Sequence, residues 1–397
     1  MKILQLCNRV PFSPKDGGSI AIHNLTKGLH DAGNEVHILA MNTKKHFVEL
    51  NNIPKHDAAL AKLDVVYVDN TIKIKNAFLN LFSSQSYNIV RFISKDFEIK
   101  LIELLSHENF DIIQLESLFL APYIEHIRKN TKAKIVLRAH NVEFKIWEQM
   151  AQVCPMGLKK MYLHLLAKRL KIYEIEQLNK YDAIVTITAE DKNILRQHGC
   201  SIPIHVTPLG IDINEYEIKK EMMEFPSLFH LGSMDWMPNE EAIKWFLNHV
   251  WKRVHLQFPD LKFFIAGRGM SSWVKKKAYP NVMIVGEVED VKKFMNSKAI
   301  MLVPLLSGSG MRVKIMEGMA LKKTIISTSI GATGIACTHL KDVLFANTID
   351  EFVQMISRCV MDKEFCDSIG NAARMLVEKH YNNKLVTEAL VKFYQTF

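Results

Sequence analysis

The chain has 397 residues, of which 48% are hydrophobic and 23% charged, with a formal net charge of +9 at pH 7. This composition is typical of a globular protein, and the length suits two hydrophobic cores better than one. The modest positive charge favours an anionic partner such as a membrane surface or a phosphorylated substrate, and no basic-aromatic motif of nucleic-acid binding is present.

No apolar run reaches the ~18 residues of a membrane-spanning helix. Asn8 and Arg9 interrupt the first apolar run too early for a secretory signal. The six cysteines are scattered without a C-x-x-C pair, which argues against a zinc site or a disulfide framework. We therefore expect a cytoplasmic protein.

Short apolar runs alternate with stretches of helical periodicity along the whole chain. The runs of the first half are KILQLC, EVHILA, VVYV, DIIQLE, AKIVLRA and AIVTIT. Those of the second half are LFHLGS, KFFIAG, VMIVG, IMLVPLL, TIISTS and VLFA. This rhythm predicts an α/β protein with two facing, Rossmann-like, doubly wound parallel-sheet domains. The rhythm breaks over residues 205–227, so we place the domains at 1–205 and 206–382, with the ligand site in the cleft between them.

The first candidate site follows the first strand, where Gly17 and Gly18 open a predicted helix. Two adjacent glycines let backbone N–H groups approach a phosphate or a sugar, although an ordinary flexible turn explains them equally well. The pattern is not the G-x-G-x-x-G of dinucleotide binding.

Polar side chains also follow two later strands. Glu116 and Ser117 come after DIIQLE, and His140, Asn141 and Glu143 follow the next strand. Polar groups at a strand end are costly to bury unless they bind something, so we expect a ligand here. The alternative is that His140 and Asn141 bond only to the loop backbone.

Residues 155–181 combine six Lys or Arg with leucines and methionines. A basic amphipathic helix of this kind permits docking on a membrane surface. A helix packed on its own domain is an equally good interpretation.

In the second half, Gly232 follows one strand, and Arg268 follows the next between two glycines, where its guanidinium could meet a phosphate. Glu289 and Asp290 stand at a predicted helix start, which we interpret as capping.

The stretch SGSGMRVKIMEGMALKKTIISTS, residues 307–329, predicts a glycine loop, a helix and a strand. If the helix starts near Gly310, Glu317 lies two turns or ~10.5 Å further on the same face as Gly310 and Lys314, with Arg312 roughly opposite. Loop amides and Lys314 could then hold a diphosphate, while Glu317 accepts hydrogen bonds from a ribose. The alternative is a Lys314–Glu317 pair on an exposed face.

Over nearly its whole length the chain resembles family 4 glycosyltransferases, the group 1 type with the GT-B fold. The resemblance covers the N-terminal block through the diglycine, RAHNVEFKIWE, PLGID, LGSMDWMPNEEAIKWF and, most specifically, PLLSGSGMRVKIMEGMALKKTIISTSIGATGI. It implies transfer of a sugar from a nucleotide-sugar with retention of configuration and without an obligatory metal or other cofactor. It also implies a C-terminal helix, from about residue 383 to 397, that crosses back onto the first domain.

The resemblance further assigns roles to residues. Glu317 would bind the ribose, the glycine loop the diphosphate, and His140 the donor sugar near the reaction centre. The family often has a glutamate at the position of Ser309, so Ser309 leaves the sugar specificity open. Many relatives also carry an Arg and a Lys after the strand matching LFHLGS, which this chain lacks.

Three cations could supply that missing charge, and we expect Lys314 and Arg268 to clamp the diphosphate, with Arg312 next. Together with His140, they are the predicted catalytic residues. The predicted donor-binding residues are Gly17, Gly18, Gly232, Ser309, Gly310, Arg312 and Glu317. Those on the acceptor or sugar side are Glu116, Asn141 and Glu143.

These expectations point to a retaining, metal-independent hexosyltransferase that uses a UDP- or GDP-sugar. Its acceptor would be a glycan or a lipid-linked glycan of a cell-surface polysaccharide such as lipopolysaccharide. The second domain would bind the donor and the first the acceptor, with the protein in the cytoplasm and peripheral at the inner face of the membrane. Two alternatives are a silent scaffold that binds a sugar nucleotide and a GT-B 2-epimerase.

Overall fold

The computed structural model describes residues 1–12, 14, 17–219, 223–271, 273–274, 279–308 and 310–397. They form two compact units, the first made of Met1–Gly210 with Asn383–Phe397 and the second of Ile211–Asn382. The sequence places the corresponding boundaries at 205/206 and 382/383.

The strands are β1 (Lys2–Cys7), β2 (Glu35–Thr43), β3 (Lys62–Val68), β4 (Ile112–Leu115), β5 (Lys134–Ala139), β6 (Ala183–Thr186), β7 (Ile204–Val206), β8 (Ser227–Leu231), β9 (Lys262–Ala266), β10 (Val282–Gly286), β11 (Ile300–Val303), β12 (Thr324–Ser327) and β13 (Leu344–Phe345). The helices are α1 (Gly17–Asp31), α2 (Lys55–Ala58), α3 (Ile74–Asn80), α4 (Tyr87–Val90), α5 (Lys95–His107), α6 (Ile124–Asn130), α7 (Glu143–Val153), α8 (Leu158–Gln177), α9 (Ala189–Gln197), α10 (Met237–Trp245), α11 (Lys252–Gln257), α12 (Val291–Asn296), α13 (Val313–Ala320), α14 (Ile349–Met361), α15 (Lys363–His380) and α16 (Asn383–Tyr394). A π-helical segment, Phe246–Trp251, joins α10 to α11.

The sheet of the first unit has seven parallel strands in the order β3-β2-β1-β4-β5-β6-β7. Side chains alternate between its two faces, as strand geometry requires. Ile3 packs with residues of α1 and α16, whereas Leu4 packs in the cluster that contains Phe97 of α5. The strand order reverses between β1 and β4, and ligands of such sheets bind at the carboxyl ends of the strands at that point.

The C-terminal helix α16 completes the first unit by packing on α1. The two helices approach so closely at Gly28 that a Cβ there would lie 2.1 Å from Oγ1 of Thr387. Asn383 Nδ2 donates a 2.6 Å hydrogen bond to the carbonyl of Asn24. A side chain at position 28 would therefore force Thr387 and Asn383 of α16 to shift.

The sheet of the second unit has six parallel strands in the order β10-β9-β8-β11-β12-β13. Its core packs aromatic side chains from β9, α14 and the π-helical segment, namely Phe263, Phe352 and Phe246. The strand order of this sheet reverses between β8 and β11.

The prediction of two parallel α/β sheets is confirmed, and each apolar run quoted from the sequence overlaps a strand. β7 was not predicted. Among the described residues, no helix is both long enough and apolar enough to cross a membrane.

Candidate active site

A cavity of about 230 Å³ lies at the carboxyl ends of β1, β4 and β5 in the first unit. Its polar lining comprises Asn8, Arg9, Ser117, Glu116, His140, Asn141, Glu143 and Glu174, and Gly18 borders it at the start of α1. The structure thus brings together five predicted site residues, Gly18, Glu116, His140, Asn141 and Glu143. Gly17 is exposed and is not among the lining residues.

Glu116 is the centre of a buried network behind this cavity. Its Oε2 accepts hydrogen bonds from Arg138 Nη1 at 3.0 Å and from His140 Nε2 at 2.8 Å. Its Oε1 accepts from Gln5 Nε2 at 3.2 Å and from Gln114 Nε2. Glu116 and Arg138 are each 1% exposed, so the carboxylate is satisfied entirely by these four donors.

A second layer of hydrogen bonds holds the two glutamines. Thr26 Oγ1 donates to Gln5 Oε1 at 2.7 Å. The hydroxyl of Tyr394, on α16, donates to Gln114 Oε1. The C-terminal helix is therefore connected to His140 through Gln114 and Glu116.

This network determines the charge and the tautomer of His140. Burial lowers the pKa of His140, and the hydrogen bond that His140 donates to Glu116 only partly offsets that effect. Burial alone would raise the pKa of Glu116, but the Arg138 guanidinium and the hydrogen bonds from His140 and Gln114 hold that pKa below its ordinary value. His140 is thus neutral at pH 7 and donates from Nε2 to a carboxylate, which leaves Nδ1 as a hydrogen-bond acceptor.

Two further carboxyl groups beside His140 have raised pKa values. Burial raises the pKa of Glu143 to about 7, opposed by the charge of Arg9. Burial also raises the pKa of Glu174 to about 8, although Glu174 accepts hydrogen bonds from the backbone N–H groups of Glu143 and Phe144 at 3.1 and 2.9 Å. Glu174 thereby caps α7, and the cavity holds a carboxyl group that titrates near neutrality.

In the second unit, three loops meet at the carboxyl ends of β8, β9 and β11. The backbone N–H of Met234 donates to the carbonyl of Arg268 at 2.9 Å, which joins the β8 and β9 loops. A Cβ on Gly308 would lie 3.1 Å from the Trp236 ring, which places the β11 loop beside the β8 loop. Ser307 Oγ also donates to Glu241 Oε2 at 3.0 Å.

Helix α13 begins at Val313 rather than near Gly310, so the helical geometry drawn from the sequence was wrong by most of a turn. Gly308 and Gly310 have φ values of +112° and +82°, which L side chains rarely adopt. Arg312, the N-cap residue of α13, has an extended backbone with φ −91° and ψ 97°. Arg312 Nη1 then donates back to the carbonyl of Gly310, and its guanidinium lies 5.0 Å from the centre of the Trp236 ring.

Glu317 lies in the middle of α13 and is only 8% exposed. The hydroxyl of Tyr216 donates to Glu317 Oε1 at 3.1 Å, and Lys314 Nζ lies 2.7 Å from Oε2. The Lys314–Glu317 pair considered from the sequence is present, although Glu317 is buried rather than on an exposed face. Its two oxygens are fixed in direction, and each keeps a lone pair for a further donor.

The other predicted residues of the second unit lie on the β8 and β9 loops. The Arg268 side chain is 51% exposed; its Nε donates to Ser233 Oγ at 3.2 Å and lies 3.7 Å from Asp235 Oδ2. Gly232 leaves room for Asn239, since a Cβ there would lie 2.6 Å from Asn239 Nδ2. Ser309 lies outside the described residues.

The capping interpretation is confirmed for Asp290, whose side chain accepts from the backbone N–H of Lys293 at 2.9 Å. Within residues 155–181, helix α8 buries Leu163, Leu166 and Leu170. Met156 and Leu158, at its start, remain 88% and 86% exposed. The helix packs on its own unit and also leaves an apolar end uncovered.

Several residues of these sites were missed from the sequence, among them Gln5, Gln114, Glu174, Tyr216 and Tyr394. Gln5 and Gln114 are polar residues inside apolar strand runs, which is a signal that could have been used. Glu174 is an acid on the buried face of α8, and its position in the helical period could also have been noticed. Nothing local in the sequence marks Tyr216 or Tyr394 as partners of the site, because both act across long sequence separations.

A family model described as Glycosyltransferase Family 4 matches residues 15–215, and one described as Glycosyl transferases group 1 matches residues 225–362. The chain belongs to glycosyltransferase family 4. A curated relative of this family 4 glycosyltransferase, an uncharacterized 44.6 kDa protein in the cps region of Klebsiella pneumoniae, is 23% identical over 98% of this chain and 99% of its own.

Solved structures show which fold this family 4 glycosyltransferase has. Anabaena Alr3699/HepE in complex with UDP-glucose matches with a TM-score of 0.68 and 13% identity, over 100% of both chains. Sucrose-phosphate synthase from Thermosynechococcus elongatus matches with a TM-score of 0.72 and 13% identity, over 100% of this chain and 99% of its own. At such identities the likeness is one of fold, the GT-B fold with two parallel-sheet domains.

Proposed function

We propose that the protein transfers a hexose from a UDP- or GDP-sugar to a glycan or lipid-linked acceptor, with retention of anomeric configuration. Membership of glycosyltransferase family 4 supports the transferase chemistry. The Anabaena neighbour is described in complex with UDP-glucose, which supports a nucleotide-sugar donor.

One observation carries the donor side of the proposal: the buried carboxylate of Glu317 behind the Gly308–Gly310 loop. Tyr216 and Lys314 hold its two oxygens. A fixed carboxylate suits the vicinal hydroxyls of a ribose, which it accepts in bidentate fashion. The glycine loop and the N-terminus of α13 precede it in the chain and would receive the diphosphate.

The charge that develops on the leaving diphosphate would be met without a metal ion. Arg312 lies at the N-cap of α13, Lys314 is in its first turn, and Arg268 is on the neighbouring β9 loop. Cations and oriented amides of this kind stabilise a leaving phosphate in the transition state. Activity that persists in excess EDTA would support this part of the proposal, and loss of activity would contradict it.

The first unit would provide the sugar side of the reaction. His140, neutral and oriented by Glu116, would accept a hydrogen bond from a sugar hydroxyl at Nδ1. Glu143 would contact the acceptor or the sugar from the same cavity. A carboxyl group with a pKa of about 7 can exchange a proton near neutral pH.

The acceptor would belong to a cell-surface polysaccharide. The Klebsiella relative is described as lying in a cps region, which supports that setting. Placement in the cytoplasm, at the inner face of the membrane, would bring the enzyme to a lipid-linked acceptor such as a lipopolysaccharide precursor. The basic helix within residues 155–181 supports this placement.

Calorimetric titration of the protein with UDP, GDP and their hexose conjugates tests the donor site. Glu317→Ala should weaken nucleotide-sugar binding about 10-fold or more, because a hydrogen bond to a charged group contributes about 1.5–3 kcal/mol. The control is Glu217→Ala, which removes a carboxylate that is 76% exposed in the same unit. Unchanged affinity in the Glu317 variant would contradict the proposal.

Incubation with the same nucleotide-sugars distinguishes transfer from the other activities considered. Slow release of nucleotide, as donor hydrolysis, supports a transferase. Interconversion of two sugar nucleotides would identify an epimerase. Binding with no turnover, with or without a lipid-linked acceptor, would identify a scaffold.

A further inference from the structure

Two segments of the first unit, residues 70–94 and 149–173, carry a concentration of uncovered apolar side chains. The first segment contains α3 and α4, and the second contains the end of α7 and most of α8. Phe78 and Phe82 are 59% and 82% exposed, and their rings contact each other edge-on. Met156, Leu158 and Met161 are 88%, 86% and 70% exposed. We call these two segments together the α3–α8 surface.

All the charged residues of the α3–α8 surface are positively charged. Its two segments contain eight Lys and Arg residues and no Asp or Glu, in a chain that has 42 acidic residues among 397. Of the acidic residues that border the segments, Asp69 and Glu148 pair with Lys73 and Lys171 at 2.9 and 3.3 Å, and Glu174 is buried. Lys75, Lys159 and Lys168 are exposed.

Hydrogen bonds hold the two segments together as one surface. Arg169 Nη1, on α8, donates to the carbonyl of Asn80 at 2.8 Å, and its Nη2 donates to the carbonyl of Leu81 at 3.0 Å. Lys160 Nζ donates to the carbonyl of Gln152 at 3.1 Å, which joins the start of α8 to the end of α7. The exposed apolar side chains of α3 and of the start of α8 therefore belong to one fixed region.

A polar cavity of about 430 Å³ opens beside α3 and α4 in the same region. Lys73, Arg91 and Tyr87 line it, together with Asp69. Arg91 Nη1 donates to the carbonyl of Asn70 at 3.0 Å, whereas its Nε is buried with no acceptor among the described residues. Two cations against one carboxylate leave this cavity suited to an anionic group.

We propose that the α3–α8 surface docks the first unit onto an anionic phospholipid membrane. Exposed Phe, Leu and Met side chains would enter the acyl–headgroup boundary, while the Lys and Arg side chains meet lipid phosphates. A protein partner fits less well, because protein interfaces are depleted in Lys at their core and this surface is rich in it. The inference rests on the membrane placement in the proposed function and names the surface and the lipid charge that would produce it.

Vesicle co-sedimentation of the full chain tests the proposal, using phosphatidylcholine vesicles with and without 30% phosphatidylglycerol. We expect binding to the anionic vesicles, weakened by raising the salt concentration, and little binding to the neutral ones. Protein that stays in the supernatant with both vesicles would overturn the proposal. So would assembly with another protein through this surface in the absence of vesicle binding.

Two variant pairs locate the contact. Phe82→Ser with Leu158→Ser should lower the vesicle partition coefficient about tenfold or more. The matched control is Leu256→Ser with Met361→Ser, which removes two apolar side chains that are 73% exposed in the second unit. Equal losses in both pairs would overturn the assignment to this surface.

For the charges, Lys75→Glu with Lys159→Glu should lower the partition coefficient about 25-fold or more, since each cation near an anionic surface contributes about fivefold. The control, Lys252→Glu with Lys341→Glu, makes the same change in net charge on exposed side chains of the second unit. Circular dichroism and UDP binding check that all variants are folded. Because those readouts and the vesicle assay involve no transfer, failure of docking and failure of the proposed function are separate results.

Discussion

Replacing Glu116 with glutamine tests the buried network of the first unit most directly. Glu116→Gln keeps the shape of the side chain but removes its negative charge, and Arg138, which is 1% exposed, then lies buried without an opposite charge. Removing one partner of a buried ion pair costs about 3–5 kcal/mol, because the remaining charge is not solvated. We expect the free energy of unfolding of the first unit to fall by about 3–5 kcal/mol.

The pH dependence of this loss follows from the pKa of Glu116. That pKa is lower in the folded chain than its ordinary value of 4.5, so the folded state favours the ionised form. The stabilisation is therefore fully present above the ordinary pKa and is lost as the pH falls through the lower folded value. Glu116→Gln lacks this contribution, so the difference between the variant and the natural protein should narrow below about pH 4.5.

Native-state hydrogen exchange measures the effect unit by unit. Amides of β4 and β5 report on the first unit, and amides of β11, in the second unit, serve as the internal reference. Combining Glu116→Gln with Arg138→Met removes both charges and should recover most of the loss. A loss below about 1 kcal/mol in β4 and β5, or an equal loss in β11, would refute the reasoning.

Two further predictions concern the same unit. Tyr394→Phe leaves Gln114 Oε1 without its donor and should destabilise the unit by about 1 kcal/mol. The control, Tyr181→Phe, removes a buried hydroxyl that has no partner among the described residues and should not destabilise the unit. Urea unfolding followed by circular dichroism measures both variants, and equal effects would contradict the hydrogen bond. Because the pKa of Glu143 is raised to about 7, the folded state favours its protonated form, so stability should fall as the pH rises from about 4.5 to 7. Glu143→Gln should make the free energy of unfolding less dependent on pH in the same measurement, while the pH dependence due to Glu174 remains. An unchanged pH dependence would show that Glu143 is not the group responsible.

The fold could be predicted because each buried strand of a parallel sheet is a continuous apolar run, a signal that needs no tertiary information. β7 was not predicted because Ile204–Val206 has only three residues and adjoins the proline- and glycine-containing stretch interpreted as a domain boundary. A strand at the edge of a sheet can be short and partly exposed, so its sequence resembles that of a loop.

The site could be predicted only in part. Polar residues at strand ends identified the cavity of His140, since parallel strands bring their carboxyl ends to one edge. The start of α13 could not be predicted, because Gly310 adopts a positive φ and Arg312 an extended conformation, so the helix begins only at Val313. The helical periodicity of the sequence alone does not show at which residue the helix begins. The hydrogen bond between Tyr394 and Gln114 could not be predicted either, since Tyr394 lies 280 residues further along the chain.

The packing of α16 on α1 has a consequence for how the chain folds during synthesis. The ribosome makes residues 211–382 before Asn383–Tyr394, so the second unit can fold while the first still lacks the helix that covers Leu25 and supplies Tyr394. Until the last helix emerges, part of the core of the first unit is uncovered. The hydrogen-bond network behind His140 would thus be completed only when Tyr394 emerges.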